Sequence, residues 1–137
     1  MIKTEQDIIS QFLELKKSTD NDNVKCKEKI KKAFLENDEL ILGPFQGKIA
    51  CSNIKVGKGV CGKCASILKT INVKNVHEFE GHIACDSASN SELVVPIFKD
   101  NSFYALIDID SPLFDRFTIE DELLIESVSN LMSKYFF

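Results

Sequence analysis

Two apolar stretches separated by a short polar link constrain this chain more than any other feature. Glu92 to Phe98 and Phe103 to Asp110 are rich in β-branched and aromatic residues, and Lys99-Asp100-Asn101 supplies the turn of a β-hairpin between them. A hairpin alone is marginal in water, so it commits the chain to further strands and a covering layer. Leu40 to Phe45 predicts another strand, ended by Gly43-Pro44 and Gly47. Ile49 to Ile54 predicts a further strand, and Ile71 to Val73 a short one. Thr118, with Asp121 three residues on, caps a helix striped by Leu124, Val128, Leu131 and Tyr135. At the other end Thr4 and Asp7 cap a helix striped by Ile8, Phe12 and Leu15, running to about Lys17. Ser18 to Lys32 is polar and lysine-rich and reads as a loop or a solvated helix face. This order predicts an α+β fold: an antiparallel sheet with the N- and C-terminal helices packed on one face. The 137 residues fit one domain, 1–137, and show no repeat or interior boundary.

Composition narrows the partners. The longest apolar run, Leu93 to Phe98, is far short of the roughly 20 residues that cross a bilayer, so no membrane partner is expected. The first residues have no apolar core or small-residue cleavage site, which predicts a cytoplasmic protein. With 17 basic against 21 acidic residues the formal charge is -4, which argues against nucleic acid.

The cysteines are Cys26, Cys51, Cys61, Cys64 and Cys85. In a reducing compartment they read as metal ligands, redox thiols or buried packing rather than as a disulfide framework. Gly57-x-Gly59-x-x-Gly62 has dinucleotide-site spacing, but no alternating βαβ pattern surrounds it, so the glycines are assigned to a tight turn. Cys61-Gly62-Lys63-Cys64 lies at the start of a short helix, Gly62 to Lys69, where the helix dipole favours a thiolate. It is also half of a zinc site, which Cys51, His82 or Cys85 could complete only with irregular spacing. From His77 to Asn90 the chain has no period, and Cys85 sits there among small polar residues; such loops are often functional. Glu92 follows it. Asp108 and Asp110, two apart in an apolar strand, project to one face. These carboxylates either meet water at a strand end or line a small acidic pocket for an ammonium group. Together with a thiol, such a pocket would suit redox chemistry on an amino-acid-like substrate.

Four stretches closely resemble the free methionine-(R)-sulfoxide reductases, which are stand-alone GAF-domain enzymes. They are Leu42-Gly43-Pro44-Phe45-Gln46-Gly47-Lys48 with Ala50-Cys51, Gly57-Lys58-Gly59-Val60-Cys61-Gly62, the run from Gly81 to Glu92, and Asp108-Ile109-Asp110-Ser111-Pro112. The resemblance covers about residues 38–137 and implies a single GAF-like domain. It further implies that Cys85 attacks the sulfoxide sulfur, releases methionine and becomes a sulfenic acid. Cys51, with Cys61 as backup or relay, would resolve that acid as an intramolecular disulfide. Glu92, Asp108 and Asp110 would bind substrate, holding the sulfoxide oxygen and the ammonium. The reductant would be an external thioredoxin-like dithiol, with no bound cofactor and no metal. Relatives commonly form homodimers. Two departures stand out. Relatives carry a longer N-terminal half with a Trp-bearing strand; here that strand corresponds to Ile30 to Leu35, and the chain has no Trp. Cys64 stands where relatives have a small non-thiol residue, and it reads as packing. The alternatives are a non-catalytic GAF sensor binding a small metabolite, and a zinc or redox regulator built on Cys61 and Cys64.

Overall fold

The computed structural model describes residues 29–36, 38–45, 53–83 and 88–135. Strands β1 (Lys29–Glu36), β2 (Glu39–Phe45) and β3 (Asn53–Lys55) lead into helix α1 (Gly59–Ile67). Strand β4 (Ile71–Val73), a 3-10 turn (Val76–Glu78), the long strands β5 (Ser91–Lys99) and β6 (Ser102–Ser111), and helix α2 (Ile119–Tyr135) follow. The strands form one six-stranded antiparallel sheet in the order β3-β2-β1-β6-β5-β4. The expected N-terminal helix over Thr4 to Lys17 lies outside the described residues.

The β5–β6 hairpin is the centre of this sheet and turns on two residues rather than three. Lys99 pairs with Ser102, and Asp100 and Asn101 both take left-handed backbone angles, φ 51° and 63°. Such angles match the twist of the flanking strands, and Asp and Asn tolerate them best among residues with a Cβ. Just beyond the turn Phe98 faces Phe103 while Ile97 faces Ala105, so Tyr104 is the extra residue of a bulge. Pro96 is accommodated because β4 covers β5 only from Glu92 to Val94, leaving the proline on an uncovered edge.

Three expectations are corrected. The lysine-rich segment, read from its composition as a loop or helix face, enters the sheet at Lys29 and forms β1, paired on both sides by β2 and β6, as the family resemblance implied for Ile30 to Leu35. Lysine has little intrinsic strand preference, and two flanking partners override it. Second, β2 ends at Phe45 as expected, but Gly43-Pro44 lies within it rather than ending it. The register against β1 shifts between Lys31 and Ala33, and this irregularity takes up the Gly-Pro pair before Phe45 pairs with Lys31. Third, the buried stripe of α2 is Ile125, Val128, Ser129 and Met132, rotated from the expected one; Tyr135 is exposed.

The alternation of β5 and β6 divides the molecule into two apolar layers. Leu93, Val95 and Ile97 of β5, with Ala105, Ile107 and Ile109 of β6, pack beneath Phe117, Ile125, Val128 and Met132. The opposite face places Val94 and Leu106 with Leu40, Val60, Cys61, Cys64, Ala65, Val73 and Val76. Ser129 Oγ, buried, donates to Pro96 O at 2.6 Å and ties α2 to the strand it covers. Helix α1 therefore lies on the face to which Glu92, Asp108 and Asp110 also belong by strand periodicity. Among the described residues no helix is long and apolar enough to cross a membrane.

Candidate active site

The site is built where α1 meets the sheet. Glycines make that approach possible. Gly57 (φ 88°) donates its N–H to Gly62 O at 2.8 Å, and a Cβ on Gly62 would lie 2.5 Å from Lys55 O. The Gly57-x-Gly59-x-x-Gly62 spacing thus serves a tight turn and a close helix–strand contact, as expected from its context. The helix begins at Gly59, three residues earlier than the sequence indicated, so Cys61 sits in its first turn.

From there Cys61 reaches the sheet. Its thiol donates toward Glu92 Oε1, with Sγ 3.9 Å away. One ligand atom each from Cys61, Glu92 and Asp108 lie within 4.8 Å of one another, all three residues buried. Glu92 and Asp110 are direct cross-strand partners, and Asp108 is opposite Val94. The cluster of carboxylates expected from sequence therefore exists, and it is enclosed rather than at a wet strand end: Glu92, Asp108 and Asp110 are 5%, 4% and 6% exposed. Buried carboxylates need donors or cations. Two come from the loop before β5. His82 Nε2 lies 3.8 Å from Glu92 Oε2, an ion-pair distance when the imidazole is protonated. Ser89, itself buried, donates its hydroxyl to Asp110 Oδ1 at 3.0 Å.

Neither of these two was assigned to the carboxylates by sequence, where His82 figured only as a zinc candidate. Their partners lie 10 and 21 residues downstream, and an aperiodic loop gives no facing signal. Cys85, Cys51 and Cys26 lie outside the described residues. Cys61 and Cys64 are both thiols, not joined to each other. Cys64 is fully enclosed in the apolar cluster under α1, and burial, with the nearby Asp108 carboxylate, pushes its thiol up to about 12. A thiol so placed packs; among the described residues it is not one of the three that could grip one ion. Among the described residues, Cys61 is grouped with Glu92 and Asp108 rather than with Cys64. Phe103 packs against the same apolar cluster.

Residues 13–135 match the GAF domain family. The chain is 56% identical over 89 residues to the free methionine-R-sulfoxide reductase of Escherichia coli, an overlap covering 65% of this chain and 54% of that protein. It spans about half the length of the curated relatives it matches. Among solved structures, the reduced form of the Staphylococcus aureus fRMsr superposes with a TM-score of 0.75 at 49% identity, covering 77% of this chain and 69% of that one. The free methionine-R-sulfoxide reductase of Neisseria meningitidis, solved in complex with its substrate, gives 0.76 at 36% identity, covering 77% and 65%. With its antiparallel sheet, its enclosed acidic cluster and these similarities, the chain belongs to the GAF-domain family, among the free methionine-R-sulfoxide reductases.

Proposed function

We propose that this chain reduces free L-methionine-(R)-sulfoxide to methionine. The observation that carries this reading is the enclosed group of Glu92, Asp108 and Asp110 beside the Cys61 thiol, on one face of the sheet. An ammonium group is the natural counterion for such a cluster, and a free amino acid brings one. A residue within a protein chain does not, which gives selectivity for the free amino acid a physical basis. The similar proteins of E. coli and N. meningitidis, named as enzymes for this substrate, support the same reading.

In the proposed mechanism Cys85 attacks the sulfoxide sulfur, the oxygen passes to the cysteine as a sulfenic acid, and methionine leaves. A second thiol, Cys51 in the main route and Cys61 as relay, then displaces water from the sulfenic acid and forms a disulfide. An external thioredoxin-like dithiol returns that disulfide to two thiols and is itself oxidised. One carboxylic acid of the cluster holds and protonates the sulfoxide oxygen while the others anchor the ammonium. No bound cofactor is needed for this sequence.

Incubating the purified chain with dithiothreitol and free L-methionine-(R)-sulfoxide should release methionine, read by amino-acid chromatography, and Cys85→Ser should abolish it. Full activity in that variant would remove Cys85 from the nucleophile's role. Calorimetric binding of methionine with no turnover would assign the chain to the sensor class instead.

A further inference from the structure

A second recess lies where the turn after α1 and the edge of β5 left bare by β4 meet α2. It is an open groove of about 470 Å³, and its lining includes none of Glu92, Asp108 or Asp110. Val95, Pro96 and Phe98 give it an apolar side. Glu122 and Glu126 line it from α2, one helical turn apart, a spacing at which like charges repel. Both are nonetheless held there by donors from the β4 segment. Asn72 Nδ2 donates to Glu122 Oε1 at 2.8 Å, and the Thr70 hydroxyl donates to Glu126 Oε1 at 2.7 Å. Each carboxylate is thus fixed by one oxygen, and the other makes no hydrogen bond among the described residues. Lys69, exposed on the turn after α1, adds a positive charge and makes no ion pair among the described residues.

We propose that this groove binds a free α-amino acid with an apolar side chain. Its ammonium would meet Glu122 and Glu126, its carboxylate Lys69, and its side chain Val95, Pro96 and Phe98. A simple cation would be drawn to the carboxylates but repelled by Lys69, and a simple anion would meet the reverse. A zwitterion satisfies both ends, and the apolar side accepts a hydrocarbon chain. The volume falls within the roughly 300–1,000 Å³ of small-molecule sites. Partly exposed ion pairs are weak, so the expected dissociation constant is about 0.1–10 mM. The site is separate from the acidic cluster, and its assignment does not depend on the reductase reading.

The test titrates the ¹⁵N-labelled chain with L-leucine, which has no sulfur to reduce, and follows the backbone amide signals. Those of Lys69, Thr70, Ser129 and Asn130 should shift and saturate. N-acetyl-L-leucine, which lacks the ammonium, should bind about fivefold more weakly or worse. Glu122→Gln and Glu126→Gln keep an oxygen for Asn72 and Thr70 while removing the charge, and each should weaken L-leucine about threefold or more. Lys69→Ala should weaken L-leucine by a similar factor and leave L-leucinamide, which lacks the carboxylate, unchanged. Shifts confined to signals around Glu92, Asp108 and Asp110, no saturation by about 20 mM, or equal binding of N-acetyl-L-leucine would overturn the site. Circular-dichroism melts check that the variants are folded, and the leucine analogues probe the same contacts on the unaltered chain. Absence of methionine release would sink the reductase reading and leave these titrations to decide the groove.

Discussion

Cys61 and Cys64 are one helical turn apart, yet their thiols live in different surroundings. Cys61 faces a carboxylate, whereas Cys64 has no solvent contact and packs with Leu40, Val60 and Leu106. Desolvation first, and then Asp108, raise the Cys64 thiol from 9.0 to about 12. The folded state therefore keeps a proton that the unfolded chain gives up above pH 9. Cys64's contribution to stability is complete below pH 9 and falls as pH rises through the interval to about 12, with a slope of at most ~1.4 kcal/mol per pH unit. Urea titrations from pH 8 to 11 should show that decline, and Cys64→Ala should flatten part of it. At pH 8 the native chain should leave Cys64 unlabelled by iodoacetamide. The same contrast shows how far single residues could be read from sequence. Glu92, Asp108 and Asp110 were legible because a strand's period of two fixes which side chains share a face. His82 and Ser89 were not, because their partners are set by how a loop folds back over that face.

At the scale of elements, close approach matters more than propensity. Helix α1 carries no side-chain cap at Lys58, and it is placed by backbone contacts instead: Gly57 N–H to Gly62 O, and Gly62 pressed against Lys55 O. Gly62→Ala puts a methyl group 2.5 Å from a backbone oxygen that cannot rotate away. The helix must lift, carrying Cys61 from Glu92. The expected cost is about 1–3 kcal/mol in a urea titration, together with slower turnover in the methionine-release assay. The β5–β6 hairpin, the capping of α2 by Thr118 and Asp121, and β4 were readable because each is a local pattern. Strand β1 was not readable from its own residues, since its membership depends on β2 and β6 lying on either side of it; the family resemblance alone placed a strand at Ile30 to Leu35. The buried stripe of α2 was missed for a related reason. Apolar residues occur on more than one side of that helix, and only the packing on β5 selects Ile125 and Met132 over Leu124 and Leu131.

Across the whole molecule one sheet serves two apolar layers. Leu93 faces α2 while its neighbour Val94 faces α1, so neither layer can open without disturbing the strands that hold the other. Unfolding should be a single transition. Ile107→Ala, in the layer away from the site, should lower stability by about 2–5 kcal/mol. It should shift the far-ultraviolet circular-dichroism midpoint and the exposure of Cys64 by the same amount, although Cys64 lies on the opposite face. Separate midpoints for the two probes would show that the layers are independent.

The position of β1 has a practical consequence for anyone delimiting this protein. The sequence motifs that resemble the reductases begin near residue 38, just after β1 ends at Glu36. Yet β1 is the seam of the sheet, bonded to β6 from Lys29 to Phe34 and to β2 from Lys31 to Glu36. A fragment cut at residue 38 would keep every recognisable motif and lose the strand that joins them. Among the described residues, β2 and β3 would lose their strand pairing to the rest of the sheet, and β6 would present a long unpaired edge to other molecules. Such a fragment should aggregate on expression while the 137-residue chain does not, as gel filtration would show. The motifs that resemble the reductases thus span less than the GAF match, which takes in β1.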